Sequence, residues 1–366
     1  MTCDVYNQAY LALDKLISRN SDILPTLVRA AFHDCVGASC DGCMNFDDPH
    51  NAGLSDAIEV IDQIFEGKGF DQVMSRSDWW QLAAHVALIR GGLNQGCDHH
   101  AHCTFFELQF SYGRKDCSTS PVHRHVDDAG SAHGDYEEVW RVLHGNFGLD
   151  HHEVVALLGA HSLGGADRAA SGFNYDWQED SLVFDNQYFK NLITLPYQVE
   201  DVSTEPINGS PAPLDSPHLY QFTSPVPHNK SLEVLMLNTD MALLKDIRSL
   251  KDDDDAFTGV TTCKMGKKAR QLVEDKPAKV RKCNDAPTAP LVYKFAEDLE
   301  FFYETFTTAY WKMVSHGNEE NLNVPSRGDC GHCIPEGAFC VAGFEKSGQC
   351  CPGSQCVKHK CTSQYY

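Results

Sequence analysis

The stretch RAAFHDC at residues 29–35 sets an arginine and a histidine four residues apart, with Phe32 beside the histidine. In a helix, Arg29 and His33 share one face. A neutral histidine can take a proton from a bound acid, and a neighbouring guanidinium can stabilise the anion left behind. That is the chemistry needed to split a peroxide bond. A second histidine, His161, lies one turn beyond an apolar helical run. It could ligate a metal held in a flat macrocycle, with one helix on each side. An isolated histidine among apolar neighbours is usually a satisfied core residue, so the pair means something only if the rest of the chain supplies partners.

The elements that must position these residues are helices. Residues 4–20 and 22–36 read as helical, with a break at Ser21, a cap at Asp22 and Pro25 in the first turn. Residues 54–66, 77–90 and 136–147 return to the same period, whereas 37–53 form a polar, cysteine-rich loop and 91–135 are loop-rich. Asp150 and Glu153 form a capping box for a helix over 151–161, on which Val154, Leu157, Leu158 and His161 share a face. Gly164 and Gly165 end it. Short helices are expected at 186–193 and 232–246, an irregular proline-rich segment at 194–230, a solvated acidic loop at 251–257, and one long amphipathic helix over 291–314. The expected body is mainly α.

With 366 residues the chain can bury a sizeable core. Thirty basic against 51 acidic residues give a net charge of −21, which argues against nucleic acid and anionic membranes as partners. No apolar run is long enough to span a bilayer. Sixteen cysteines point to an oxidising compartment and disulfides, and the sequons at Asn208 and Asn229 agree with secretion. MTCDVYNQAY is no signal peptide, so a secreted form is expected to carry its signal upstream or to have lost it.

The two histidine motifs carry a family resemblance. RAAFHDC resembles the distal motif of the plant, fungal and bacterial haem peroxidase superfamily, and VVALLGAHSLGG at 154–165 resembles its proximal motif. NAGL at 51–54, FDNQYFKNL at 184–192 and LNTDMALLKD at 237–246 resemble further landmarks in the same order, and the likeness covers roughly residues 3–317. The resemblance implies a two-lobed helical peroxidase fold, haem b held without covalent attachment, and H₂O₂ as substrate. It makes His33 the distal acid–base, with Phe32 beside it. Arg29 stabilises the leaving oxygen, Asn51 holds the tautomer of His33, and His161 is the iron ligand. Asp240 accepts the Nδ1 proton of His161, an effect from outside the ligand shell.

Trp177 falls where ascorbate and cytochrome c peroxidases carry a proximal tryptophan, and Phe32 where the intracellular branch usually has one. With CDGC at 40–43 and GRKDC at 113–117, the mixture looks closest to the invertebrate ascorbate-peroxidase-like proteins. Asp34 and Asp41 match two ligands of a distal calcium site, with Cys43 in place of its serine. Ser162, Asp180, the Val183 carbonyl and Asp185 match the proximal cation loop. The resemblance thus implies Ca²⁺, or K⁺, at one or two structural sites. Asp22 and Asp167 match two of the three Mn(II) carboxylates of fungal manganese peroxidases, the third position being Thr26. The ascorbate-binding arginine would fall at Ala170 and the matching lysine at Ser21, with Arg168 nearby. The histidines of 97–103, His123/His125 and His151/His152 are read as solvated loops, with Cys97–Cys103 as a bridge.

From Cys330 the chain holds seven of its sixteen cysteines and no helical period. A boundary near 320–329 separates a peroxidase domain (1–322) from a cysteine-rich one (323–366). The frame Cys333-x6-Cys340-x9-Cys350-Cys351-x4-Cys356-x4-Cys361 resembles an inhibitor cystine knot. Six cysteines allow many connectivities; the resemblance implies Cys333–Cys351, Cys340–Cys356 and Cys350–Cys361, with Cys330 tying this small disulfide-rich, knottin-like domain to the body. The tail is read either as a stabilising appendage or as a module for an extracellular partner.

The expected function is that of a secreted haem peroxidase that oxidises small phenols or similar aromatics at the haem edge. Ascorbate and Mn(II) are the alternative reductants. A haem-binding scaffold that presents the tail is the alternative of another class, and the intact set Arg29, His33, Asn51, His161 and Asp240 argues against it.

Overall fold

In the computed structural model the residues described are 1–37, 39–95, 104–118, 130–202, 219–252, 256–261, 263, 282–325, 330, 333–340 and 350–363. Apolar spacing buries one face of α1 (Cys3–Arg19) and of α2 (Ile23–Cys35), which begins with Pro25 in its first turn. Helix α3 (Ser55–Gly67) follows, then α4 (Arg76–Asn94). Helix α4 is buried almost all round, so it acts as a central pillar along which α2 lies.

Helix α5 spans Tyr136–Phe147, the span its periodicity predicts. In front of α6 (His151–Leu158) the capping box closes: Glu153 N donates to Asp150 Oδ1 at 2.9 Å and Asp150 N to Glu153 Oε2 at 2.8 Å. The last turn before His161 tightens into a 3₁₀ turn over Gly159–Ser162. Gly159 is required there, because a Cβ would sit 2.5 Å from Cε2 of Phe302. The short β1 (Gly165–Ala166), α7 (Arg168–Ser171), β2 (Tyr175–Asp176) and α8 (Gln187–Thr194) complete this region.

Strands appear where none are expected. Among the described part of 194–230 lie β3 (Gln198–Asp201) and β4 (Tyr220–Val226). The expected helix over 232–246 is the end of β5 (Asn229–Met236) followed by α9 (Asn238–Leu244). The sheet order is β1-β2-β5-β4-β3. Strand β4 lies antiparallel to both neighbours, and Tyr220 through Ser224 are buried without alternation. A strand covered on both faces shows no period of two. The acidic 251–257 segment joins β6 (Ser249–Lys251) to β7 (Phe257–Thr261), an antiparallel pair.

The long helix expected over 291–314 is two helices, α10 (Ala289–Glu297) and α11 (Leu299–Ser315). Asp298 divides them. Its backbone is extended (φ −129°, ψ 93°), and its carboxylate accepts from Phe301 N at 3.0 Å as the N-cap of α11. Helix α11 packs on α6, and its Phe306 meets Phe184 at 4.7 Å in an aromatic cluster.

The body is cross-linked by Cys35–Cys40, Cys43–Cys117 and Cys263–Cys283. The C-terminal region pairs Cys333–Cys351, Cys340–Cys356 and Cys350–Cys361, and Cys3–Cys330 ties it to α1. It adds the hairpin β8 (Ser354–Val357) and β9 (Lys360–Ser363). This region is docked rather than pendant. Ile334 and Ala338 are buried in the main core, the Arg90 guanidinium lies 3.7 Å over the Phe339 ring, and Phe339 N donates to Asp14 Oδ2 at 3.2 Å.

Candidate active site

Helix α2 brings its Arg29 and His33 onto one face, and the loop before α3 supplies their partners. Asp48 caps a 3₁₀ turn at Pro49–Asn51, which presents Asn51 to His33. The Asn51 amide donates to the Asn45 carbonyl at 2.8 Å, so its oxygen faces His33 Nδ1, also at 2.8 Å. Nδ1 must therefore carry the proton, and a neutral His33 leaves Nε2 bare. Desolvation, and secondly the Arg29 charge, pull the His33 pKa down to about 3, so the ring is neutral over the working range. The Arg29 guanidinium donates to the carbonyls of Ala52 (2.9 Å) and His50 (2.7 Å). Desolvation lowers its pKa to about 10, which leaves it charged. Phe32 meets His33 edge-on, with ring centroids 5.7 Å apart.

The second centre is held from three sides. His161 Nδ1 lies 2.7 Å from Asp240 Oδ1, on α9. Asp240 is fully buried, and it also accepts from Tyr188 OH and from Leu237 N, each at 2.7 Å. Trp177 stacks on His161, with centroids 4.0 Å apart and planes 5° from parallel. Gly164 has φ +74°, and its missing Cβ would lie 2.6 Å from Pro25, so this glycine lets the start of α2 abut the segment after His161.

A haem fits these residues. Each histidine has its Nδ1 engaged, which leaves Nε2 as the one ring nitrogen for a ligand or a proton. His161 offers Nε2 as the imidazole nitrogen that a haem iron takes as its ligand. Arg29 and His33 lie deep enough for desolvation to dominate their titration. Yet Arg29 is exposed, and His33 and His161 are only partly covered. Their free faces are not closed by side chains.

A family model described as Peroxidase matches residues 9–252, well over half of the chain. The chain belongs to the peroxidase family. It is a haem-dependent peroxidase, an oxidoreductase with hydrogen peroxide as acceptor. It is 28% identical over 281 residues to the mitochondrial cytochrome c peroxidase of Emericella nidulans, covering 70% of this chain and 68% of that protein. It is 33% identical over 147 residues to the cytosolic L-ascorbate peroxidase 2 of rice (Oryza sativa subsp. japonica), covering 39% of this chain and 50% of that protein. It is 27% identical over 183 residues to L-ascorbate peroxidase 3 of Arabidopsis thaliana, covering 48% of this chain and 58% of that protein.

The other expected site residues of this peroxidase are placed differently. Asp34 is fully buried with its oxygens turned to protein donors: Gly42 N (2.8 Å) and Asp41 N (3.3 Å) on one, Ser77 Oγ (3.3 Å) and Gln81 Nε2 (3.2 Å) on the other. It anchors the loop to α4. Asp41 Oδ1 accepts from Cys43 N at 3.2 Å. On the proximal side oxygens of Asp180, Val183 and Asp185 converge on the side chain of Gln178, and Ser162 Oγ donates to the Asp185 carbonyl at 2.6 Å. Asp22 is exposed and makes no side-chain cap; Asp167 caps α7 through Ala170 N at 2.9 Å. Arg168 donates to the carbonyls of Gly172 and Val202.

The sequence reading missed Tyr188, Asn45 and Gln178. Tyr188 and Gln178 stand next to landmarks that were recognised, but spacing alone does not say which hydroxyl or amide reaches a buried carboxylate. His151 bonds Tyr136 OH at 2.7 Å and stacks on Trp140. Residues 97–103, His123, His125 and Asn208 lie outside the described residues.

Proposed function

We propose that this chain is a secreted peroxidase that holds haem b between a distal lobe carrying Arg29 and His33 and a proximal lobe carrying His161, and that takes single electrons from small phenols or similar aromatics at the haem edge. The observation that carries the reading is the opposed wiring of the two histidines: His33 beside a cation and an amide oxygen, His161 on a buried carboxylate. Bound haem would supply the iron that takes two electrons' worth of oxidising power from the peroxide. His33 Nε2 takes the proton from the inner peroxide oxygen and returns it to the outer one, which leaves as water. The Arg29 guanidinium, fixed by two carbonyls, faces the charge that develops on the leaving oxygen. Asp240, held by three donors, orients His161 and strengthens it as a ligand.

Two observations favour a neutral aromatic reductant over ascorbate. Ala170 and Ser21 offer no cationic side chain, and Arg168 is already spent on two backbone carbonyls. Asp22 and Asp167 keep Mn(II) as the second reading, although the helix cap uses one Asp167 oxygen. Residues 1–322 are read as the peroxidase domain and 323–366 as a knottin-like domain whose exposed face serves an extracellular partner. The disulfide density of both parts supports an oxidising compartment.

The test is a stopped-flow mix of the haem-loaded protein with H₂O₂, followed by guaiacol, ascorbate or Mn(II). A phenol should restore the resting Soret spectrum fastest. Faster recovery with ascorbate or Mn(II) would replace the phenol reading. No Soret change with peroxide, together with a biological activity that survives His33→Leu and is lost on deletion of the tail, would turn the body into a scaffold.

A further inference from the structure

The loop after Trp177 holds its oxygens around a side chain, not around open space. Gln178 is 1% exposed, and its Nε2 donates to the carbonyls of Asp180 and Val183, both at 3.0 Å, and to Asp185 Oδ1 at 3.4 Å. These oxygens come from three of the four residues that the family likeness nominates for a cation. The fourth, Ser162, is also buried. Its hydroxyl donates within the same cluster, to the Asp185 carbonyl at 2.6 Å and the Gly159 carbonyl at 2.8 Å. Asp185 Oδ1 takes a further bond from Gln187 N at 2.9 Å.

A calcium ion needs six to eight oxygens turned toward one point. Here the three oxygens around Gln178 Nε2 accept N–H hydrogens, and the Ser162 hydroxyl donates to carbonyls of the same cluster. Two amide hydrogens serving three oxygens do what a small cation does: they draw carbonyls and a carboxylate together. The other end of the amide argues the same way. Gln178 Oε1 is buried without a hydrogen-bond partner among the described residues. An orphaned buried acceptor keeps the full cost of its desolvation, so the bonds made by Nε2 must outweigh it. Turning the amide over would place Oε1 on the oxygens, where only a cation between them would relieve the repulsion.

We propose that the Gln178 side-chain amide occupies the place of the proximal cation, so that this loop, and the Trp177–His161 stack attached to it, forms without a bound metal. The attachment is direct: Trp177 N donates to Gly164 O at 3.1 Å and Gly164 N to Ser181 O at 2.7 Å. The loop keeps two carboxylates, Asp180 and Asp185, with no divalent charge to offset them.

The test uses the full-length, haem-loaded protein. Calcium and potassium contents are measured after chelation and desalting, and thermal melting is followed at the Soret band with and without each cation. The wild type should hold neither ion at the proximal loop, and Asp41→Asn, which removes a ligand of the distal candidate site, should melt at one temperature with and without each cation. Gln178→Thr should melt lower in cation-free buffer and recover with rising Ca²⁺ or K⁺, as ligand linkage requires. A cation retained by the wild type, kept in Asp41→Asn and lost in Asp180→Asn, would show a metal in the loop and a reversed amide, and would overturn the proposal. A cation lost in Asp41→Asn alone sits in the distal loop and leaves the proximal loop metal-free as proposed. If Gln178→Thr does not fold, the wild-type metal content and the two aspartate variants still decide.

Discussion

His33 and His161 are the same side chain put to opposite uses. Each has Nδ1 fixed by one acceptor and Nε2 left bare. The acceptor makes the difference. Asn51 is neutral, and Arg29 adds a positive charge nearby, so His33 is a base of low proton affinity that can give back what it takes. Asp240 is a buried carboxylate, so His161 is pushed toward a strong electron donor. The helix geometry differs too: His33 sits inside a regular α-helix, while His161 sits in a tightened 3₁₀ turn under Phe302. Position on a helix supplies the nitrogen; the residue behind it decides whether that nitrogen moves protons or holds a metal.

The contrast breaks most sharply on the distal side. His33→Leu removes the proposed distal base and leaves the proposed iron ligand, His161, in place. It should slow the reaction with H₂O₂ by at least ~10²–10⁴-fold, the usual contribution of a positioned acid–base group. The Soret band should remain at full occupancy. A variant that loses haem as well as rate would mean that His33 is a structural residue.

Asp240→Asn attacks the opposite face and should show the opposite pattern. The amide cannot accept from His161, Tyr188 and Leu237 together, because one of its ends is itself a donor. Haem affinity or turnover should fall by about 10–100-fold, the range for residues that orient a metal ligand. Equilibrium haem transfer to a competing apoprotein separates the two variants: it should move for Asp240→Asn and stay put for His33→Leu.

A third test turns on pH. His33 is neutral in the folded protein down to about pH 3, whereas an unfolded histidine takes its proton near 6.5. The folded pKa is depressed, so this group destabilises the fold progressively as pH falls below about 6.5. The rate of reaction with H₂O₂ should therefore hold across neutral and mildly acid pH and lose its base only at the acid end. Arg29→Gln removes the second cause of the depression, and the acid limb should move to higher pH. It should stay below the ordinary histidine value, because desolvation, the larger cause, remains. A limb that does not move would show that Arg29 is too far from His33 to act on its charge.

These contrasts were legible in the sequence to different depths. The residues that touch the chemistry were readable because their spacing is local: Arg29 to His33 is one helical turn, and Asp150 to Glu153 is a capping box. The partners of those residues were readable only through the family landmarks at 51–54 and 237–246, since nothing local says that Asp240 reaches a ring 79 positions earlier. What escaped was set by tertiary packing. Strand β4 is covered on both faces and so lost its alternation, and Asp298 was read as part of a helix that it in fact restarts. The cation loops were read from ligand positions, whereas the bonds of the intervening Gln178 and the donors around Asp34 are set by tertiary packing that spacing does not show.

The finest test lies between the two histidines' acceptors. Asn51 serves His33 through one oxygen. Asp240 Oδ1 serves both His161 and the buried hydroxyl of Tyr188, whose pKa is pushed up by desolvation and by Asp240 itself. A hydrogen bond from Tyr188 withdraws charge from the carboxylate and so weakens its pull on the His161 proton. Tyr188→Phe should release that charge. His161 then becomes a stronger donor, and the reduction potential of the bound iron should fall, opposite in sign to the rise expected for Asp240→Asn. Haem retention should be unchanged and turnover should alter by less than about tenfold, since Leu237 N still holds the carboxylate in place. Potentiometry on the two variants decides it: opposite shifts make Tyr188 a positioning residue that tunes the proximal side, and no shift in Tyr188→Phe would leave the tyrosine as core packing alone.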